Sequence, residues 1–531
     1  MTMTAAIPRA LLSTKWRTLH WFASVAFLVL ATTFSVAAQS QKLPSPEKIV
    51  EAHLKAIGGK KNVAAVRSAT YEWKSQLKGQ ADGTSRWRVK APGSARFENS
   101  VGSDLITAAN TSSAWVLQGP SMRTLIGAEA AAAKLRAFLD ASRLVDYKKA
   151  NVLARFVSVG DIGSEPSYIV EFSRRGGSKL TYWFSLKTKL LVKVIDDNTR
   201  TTTRFEDYRR VGNILEPHRV RISNPDSDLV LELQNVVHNS LIADSVFDPP
   251  AAVTAVDVVS LMRAVGRNQD EVEKRVNEYS FVQKETEREI NGRGELKKET
   301  VKVYEVFPIA HQEPVMKLIS ENGVALTGEK AAKEEKRVIE ELEKAERDQD
   351  KNQQKAERRK EERRKKAGKG HEDEEPGISQ FLMVCEFVSP RHESFRGRDA
   401  VVFDFRPRPG FKPANRAESL ISKLVGVVWI DPADKQVMRL EARLAEGFKM
   451  GGGLLLSVRP GAAVVMEQTR MVEGVWLPSF AQVNLSVKVL LFGGGDINQT
   501  VEWSDYRHFA GKVHDYKLDY PKAENQAEKK P

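Results

Sequence analysis

The sequence predicts an α+β fold: two tandem curved antiparallel half-barrel sheets with covering helices, the second carrying a long charged helical insertion. Three observations predict it. Apolar and polar residues alternate through most of the chain, which is the period of half-buried strands. Short helical segments with capping signals stand before and between these runs. The second half also repeats landmarks of the first in the same order. Tyr71-Glu72-Trp73 matches Tyr279-Ser280-Phe281, Glu171-Phe172 matches Asp404-Phe405, and Trp183, Glu206, Pro217 and Glu232 match Trp429, Glu467, Pro478 and Glu502. The offset only grows, as when one of two copies acquires insertions, and a period of roughly 200 residues marks a duplicated domain and not a solenoid.

A chain of 531 residues with 41% hydrophobic residues suits two or three globular cores. The net charge of +13 favours anionic surfaces, but no concentrated basic and aromatic face accompanies it, which argues against nucleic acid. The one cysteine, Cys385, lies in the apolar run FLMVCEFV and reads as a buried strand residue.

Residues 1–38 read as an export signal. Arg9, Lys15 and Arg17 precede the apolar run WFASVAFLVLATTFSVAA, and cleavage is expected after Ala38, which places the mature protein in the periplasm. The alternative is that the same run is kept as an anchor. The first domain spans 39–250. Ser45 is the expected N-cap of a helix with Pro46 in its first turn, and Gly58-Gly59 stops it. Strands follow, including YEWKSQLKG, SRWRVKA, SARFEN, SAWVLQG, YIVEF, TYWF, LLVKV, TRFEDYRRV, EPHRVRI and LVLELQNVV. A helix is expected between them from Gly127 to Leu144, and Asp248-Pro249-Pro250 closes the unit.

The second domain, 251–512, begins with the helical segments VDVVSLMRAVG and QDEVEKRVNEY and enters strands at Tyr279. Residues 329–375 interrupt it with interleaved acidic and basic helix formers, which predict a solvated helix held by i to i+4 ion pairs. After the insertion come FLMVCEFV, AVVFDFRP, a short helix near Asn415 to Leu424, and the meander VVWID, VMRLEARL, AVVMEQTRM and an alternating strand through Ala481, Val483, Leu485, Val487, Val489 and Leu491. The last strand is NQTVEWSDYRHF, and 513–531 is a polar tail expected to be disordered.

No catalytic constellation emerges. The nine histidines are scattered without metal-ligand spacing, and there is no Gly-x-Ser-x-Gly elbow, Walker loop or Cys-His pair. The recurring carboxylates Glu171 and Asp404 alternate with apolar residues and are expected on the solvent face of equivalent strands. The expectation is therefore a non-enzyme without metal or cofactor.

The chemistry that remains is hydrophobic. A curved sheet need not fill its own concavity, and an apolar groove holds acyl chains at about 0.8 kcal/mol per buried CH₂. The expected lining is Tyr71, Trp73, Leu77, Trp87, Val89, Trp115, Leu117, Tyr182 and Phe184 in the first domain and Tyr279, Phe281, Val483, Leu485 and Val487 in the second. The alternative is that these side chains only pack against the covering helices. Which side of Tyr182-Trp183-Phe184 faces inward stays open.

The stretches EKIVEAHLKAIGG, YEWKSQLKG, LVDYK, YWFSLKTKLLVKV, FEDYRRVGNILEPHRV and ADSVFDPP give the first domain a resemblance to the periplasmic outer-membrane lipoprotein-sorting family, of the LolA/LolB-like fold. The second resembles it through VVWIDPADKQVMRLEA and EGVWLP. The resemblance implies a half-open β-barrel with a helical lid, a hydrophobic cavity for lipid or lipoprotein acyl chains, and no enzymatic activity. The tandem arrangement departs from single-domain carriers. The absence of a cysteine at the expected cleavage site favours a carrier over an anchored acceptor. The rival expectation is an envelope regulatory or structural protein that uses the same fold to bind a protein partner. Meander topology places FKMGGGLLLSVRPG and LLFGGGD at one end of the sheet, so Leu454, Leu455, Leu456, Leu490, Leu491 and Phe492 are expected to form an apolar edge that touches a membrane or partner, unless they fold back as a lid.

Overall fold

The computed structural model describes residues 43–508 except 103, 175–176, 252–256, 292–294, 310–313, 348–377, 451–455, 472–473 and 490–492. The expected export segment, the polar tail and most of the charged insertion lie outside the described residues. The chain is α+β, with open, curved antiparallel sheets and few helices.

Helix α1 (Pro46–Ala56) starts where its sequence signals put it. The Ser45 hydroxyl accepts from the Lys48 amide at 3.4 Å, and Pro46 sits in the first turn, where its missing N–H costs nothing. Ile49, Val50 and Leu54 are buried along one stripe. Gly58 then turns the chain with φ of +132°; a Cβ there would lie 2.4 Å from the Asn213 carbonyl oxygen, so only glycine allows the helix end to pass the strand at Ile214. A short helix α2 (Lys60–Ala65) follows.

Between Ser68 and His238 the chain forms one 13-stranded sheet. The strands from 68 to 124 run in sequence order to one edge and those from 152 to 238 to the other, and the first strand (Ser68–Leu77) pairs with the last (Ser227–His238). Helix α3 (Gly127–Ser142) makes the crossing between the edges. It buries Leu135 and Leu139 in the same cluster as Trp73, Phe172, Tyr182 and Phe184. Each of the Leu and Phe side chains contributes about 1.5–3 kcal/mol through burial. Tyr182 and Phe184 therefore face the helices, and Trp183 faces away with the Lys193 ammonium 3.3 Å from its ring centroid.

Helix α4 (Val258–Val276) leads into the second sheet and runs unbroken through Gly266. This sheet follows the same order. Strands from 279 to 325 run to one edge, strands from 385 to 508 to the other, and the first (Tyr279–Ile290) pairs with the last (Gly493–His508). Helix α5 (Gly328–Arg347) stands at the crossing.

Some landmarks pair alike in the two sheets. Phe172 lies opposite Leu180 as Phe405 lies opposite Gly426, and Trp183 opposite Lys193 as Trp429 lies opposite Arg439. The turns after Trp183 and Trp429 match as well. Ser185 Oγ accepts from the amides of Lys187 and Thr188, Asp431 Oδ1 from those of Ala433 and Asp434, and Lys189 and Lys435 both take φ near +60° (62° and 53°).

Two expectations need correction. The run FLMVCEFV is not one strand: helix α6 (Ile378–Val384) takes its first half, and the strand begins at Cys385. A short apolar run fits a buried helix or a buried strand equally well, and here contacts with α4 and with helix α7 (Arg416–Ile421) decide. Glu171 and Asp404 are not on a solvent face. Glu171 is bonded by Arg155 at 3.0 Å, and Asp404 is fully buried.

The reason for the second is the contact between the sheets. The Arg391 guanidinium, 0% exposed, donates to Asp404 (2.9 Å), Glu393 (2.9 Å) and the Thr124 hydroxyl (2.8 Å). The Ser113 hydroxyl donates to Asp404, and Arg406 reaches Asp248 at 3.1 Å. Thr124, Ser113 and Asp248 lie in residues 39–250, so the outer face of the second sheet is packed and not solvated around Asp404.

Candidate functional site

The first sheet does not close fully against α1 and α3. A cavity of about 100 Å³ remains, walled by Tyr71, Trp73, Trp87, Tyr182, Phe205 and Tyr208. The alternation of each strand puts these rings on one face. Tyr71 and Trp73 stack with centroids 6.0 Å apart, and Tyr71 lies 5.7 Å from Trp87. Two polar atoms in this wall, Trp73 Nε1 and the Tyr182 hydroxyl, are buried without a hydrogen-bond partner. Buried donors are rarely left so.

A polar clasp closes one side. Arg143 stands just past the end of α3 in the left-handed region, with φ of 51°. It donates to the Tyr71 hydroxyl at 2.6 Å and reaches Glu216 at 2.9 Å. Tyr71 donates to Glu216 at 3.1 Å, and His238 Nε2 lies 2.8 Å from the same carboxylate. Burial alone would push Glu216 up, but Arg143 and His238 outweigh it and hold the carboxyl below its usual range. Burial raises the Tyr71 phenol well above its ordinary value, so it remains a hydrogen-bond donor. Opposite, His53 Nδ1 lies 3.2 Å from the Lys189 carbonyl oxygen, and burial pushes its pKa down to about 4, leaving it neutral. These groups tie α3 and α1 to the sheet.

Of the residues expected to line a cavity, the structure brings Tyr71, Trp73, Trp87, Val89 and Tyr182 together here. Phe184 and Leu77 belong to the same core; Phe184 packs 5.2 Å from the His53 ring. Trp115 and Leu117 lie elsewhere. Trp115 donates to the Phe247 carbonyl at 3.0 Å under the Arg96 guanidinium, and both line the recess at Pro249 and Pro250. In the second sheet Tyr279 packs on Tyr506 and His508, and Phe281 joins Val306, Ala481, Val501 and Trp503. Val483 is buried, and Leu485 borders a small recess beside Ala150 and Arg174. Val487 lies on the Trp476–Val489 strand.

Leu454, Leu455, Leu490, Leu491 and Phe492 lie outside the described residues. Leu456 begins a short strand that pairs back on Phe448–Met450, and Ser457 pairs with Lys488. The hairpin backbone thus runs beside the strand end that leads to 490–492.

Sequence reading missed Arg143, Glu216 and His238. Glu216 precedes Pro217 in a recognised landmark, but nothing local shows that it meets a helix end far away in sequence. Among the described residues no cluster of three or more His, Cys, Asp or Glu side chains can hold a metal ion, and no helix is long and apolar enough to cross a membrane.

No family model matches the chain, and no curated protein does. Among solved structures it is similar to a DUF1329 family protein from Desulfovibrio piger ATCC 29098, at 13% identity over 38% of this chain and 97% of that one, with a TM-score of 0.26. It is similar to the Pseudomonas aeruginosa MucA/MucB complex at 8% identity over 87% and 99%, with a TM-score of 0.17. It is similar to LprF from Mycobacterium bovis at 10% identity over 38% and 97%, with a TM-score of 0.15. Likenesses at these scores carry no argument about fold or function.

Proposed function

We propose that the chain is a non-enzymatic, exported binding protein of the cell envelope, built from two tandem copies of one half-barrel unit, that holds an acyl chain of a lipid or lipoprotein in the concavity of its first sheet. The observation that carries the reading is the aromatic chamber, whose wall of Tyr71, Trp73, Trp87, Phe205 and Tyr208 offers apolar surface to hydrocarbon. Its volume of about 100 Å³ has room for about three water-sized groups, so a full chain enters only when α3 swings away. The Arg143 clasp to Tyr71 and Glu216 is the latch on that movement. Shared strand order and the matching turns at Ser185 and Asp431 support the tandem reading.

The test is quenching of tryptophan fluorescence by doxyl-labelled stearate added to the full chain. Quenching is expected to be reduced in Trp73→Phe/Trp87→Phe and to saturate at lower ligand in Arg143→Ala, in which the latch is gone. Absence of saturable quenching in both the parent and Arg143→Ala would end the reading.

A second reading, an interaction protein, is favoured by α5. It docks through Val338 and Leu342 and turns most of its charged side chains outward. Deleting 329–375 separates the two: a carrier keeps its quenching by stearate, and an interaction protein loses its partner.

A further inference from the structure

A second cavity system lies between the units, where α3 faces the outer side of the second sheet. Two connected spaces of about 460 and 750 Å³ share three cationic side chains, Lys134, Arg174 and Arg443. Lys134 comes from the middle of α3, Arg174 from the end of the 165–174 strand, and Arg443 from the second sheet. They are close together. Lys134 Nζ donates to the Ser112 carbonyl at 2.7 Å and Arg443 to the adjoining Thr111 carbonyl at 2.6 Å, while Arg174 stacks 5.5 Å from the Phe138 ring, one turn along α3 from Lys134.

The partners they lack are the informative part. Among the described residues none of the three meets a carboxylate within ion-pair distance. Most nearby carboxylates are engaged by other cations: Glu441 by Arg439, Glu467 by Arg439 and Arg396, Asp404 by Arg391, Asp146 by Lys60 and Lys149, and Glu446 by Lys423; Asp197, which also lines the larger space, is exposed. Arg174 Nε and Arg443 Nε are shut from solvent with no hydrogen-bond partner at all. The three side chains are part-buried; a guanidinium does not shed its proton in a protein, so holding two of them beside an ammonium favours an anion that can join them. Burial pushes the lysine down to about 8.

We infer that Lys134, Arg174 and Arg443 form a binding site for a phosphate group in the cleft between the two sheets. Two guanidinium forks and an ammonium suit a tetrahedral oxyanion, whose oxygens accept from several donors at once. The cleft is also asymmetric in polarity. Beside the cations run Ala130, Ala131, Leu135, Phe138 and Ala141 of α3, an apolar wall along which hydrocarbon attached to the phosphate can lie. The phosphate comes either from a lipid headgroup or from free phosphate, and the wall separates these in an experiment. This site stands apart from the aromatic chamber and holds or fails independently of it.

The test is isothermal titration calorimetry of the full chain with inorganic phosphate and, separately, with monomeric dihexanoyl phosphatidic acid, on the parent and on Arg174→Gln/Arg443→Gln. Both ligands are expected to bind the parent, and the double variant to bind at least tenfold more weakly. Tighter binding of the dihexanoyl ligand assigns the site to a lipid headgroup, and equal binding assigns it to free phosphate. Folding is checked by thermal melting. Parent and double variant must both melt cooperatively, and phosphate should raise the melting temperature of the parent and not that of the variant. A parent that binds neither ligand, or a folded variant that binds both as the parent does, overturns the proposal.

Discussion

At matching places in the two sheets, the same residue types meet different surroundings. Trp183 is half-buried with Lys193 over its ring, and Glu206 stands in water. Trp429 is 1% exposed beneath Arg439, whose guanidinium centre lies 5.9 Å from its ring, and Glu467 is 4% exposed. The strand order is shared, but only the second sheet has its outer face covered by the other unit. What a charged residue does in this fold is therefore set by the neighbour across the interface and not by its strand position. In the first sheet Glu206 is solvated and Glu171 is bonded by a part-exposed Arg155, whereas in the second sheet Asp404 and Glu467 are both buried and bonded.

The largest expected effect tests that difference at one matched pair. Asp404→Ala leaves Arg391 buried with one carboxylate fewer and the Ser113 hydroxyl without its acceptor, at an expected cost of about 3–5 kcal/mol. Glu171→Ala leaves Arg155, whose side chain is 29% exposed, free to hydrate, and about 1 kcal/mol is expected. Urea unfolding of both variants followed by tryptophan fluorescence checks this. Equal costs would mean that the interface does not distinguish the faces.

The helices that dock on the matching turns give a second contrast. His53 of α1 binds the Lys189 carbonyl, and Asn268 of α4 binds that of Lys435 at 3.1 Å. Only the first titrates. Burial depresses the folded pKa of His53 to about 4, below its unfolded value near 6.5, so its contribution is fully present above about 6.5 and is lost as pH falls towards 4. The loss amounts to about 3 kcal/mol at the acid end. Stability of the first unit should fall through this window in the parent and much less in His53→Asn. An identical pH profile in the variant would remove His53 as the cause.

Much of the fold was legible because alternation is a local signal. Tyr182 and Phe184 had to share a face opposite Trp183, and Ser45-Pro46 had to start a helix. Sequence could not say which face is inside, since that depends on where α1 and α3 dock. Nor could it separate helix from strand in Phe381–Val384, where every position is apolar. The chamber was legible through its aromatic rings. Its clasp was not, because Arg143 meets Glu216 and Tyr71 only after the whole sheet has closed. The cationic cleft was hidden for the same reason: Lys134, Arg174 and Arg443 each look like an ordinary surface charge in their own segment.

A glycine inside the second core probes how far the sheets correspond there. Phe172 lies opposite Leu180 and Phe405 opposite Gly426, so the second sheet has glycine where the first has a fully buried leucine. The structure supplies the reason. A Cβ at Gly426 would fall 1.9 Å from the Glu441 carbonyl oxygen and 2.6 Å from Phe405 Cζ, so the Phe405 ring and the neighbouring strand occupy the space that Leu180 fills in the first sheet. Backbone cannot yield as a flexible side-chain end does, and Gly426→Ala is expected to cost about 1–3 kcal/mol by overpacking. Gly426→Leu, which restores the residue of the first sheet, should cost more, because added volume has nowhere to go. If Gly426→Leu were instead neutral in urea unfolding, the two cores would be interchangeable at this layer, and the difference between the sheets would lie in the outer face alone.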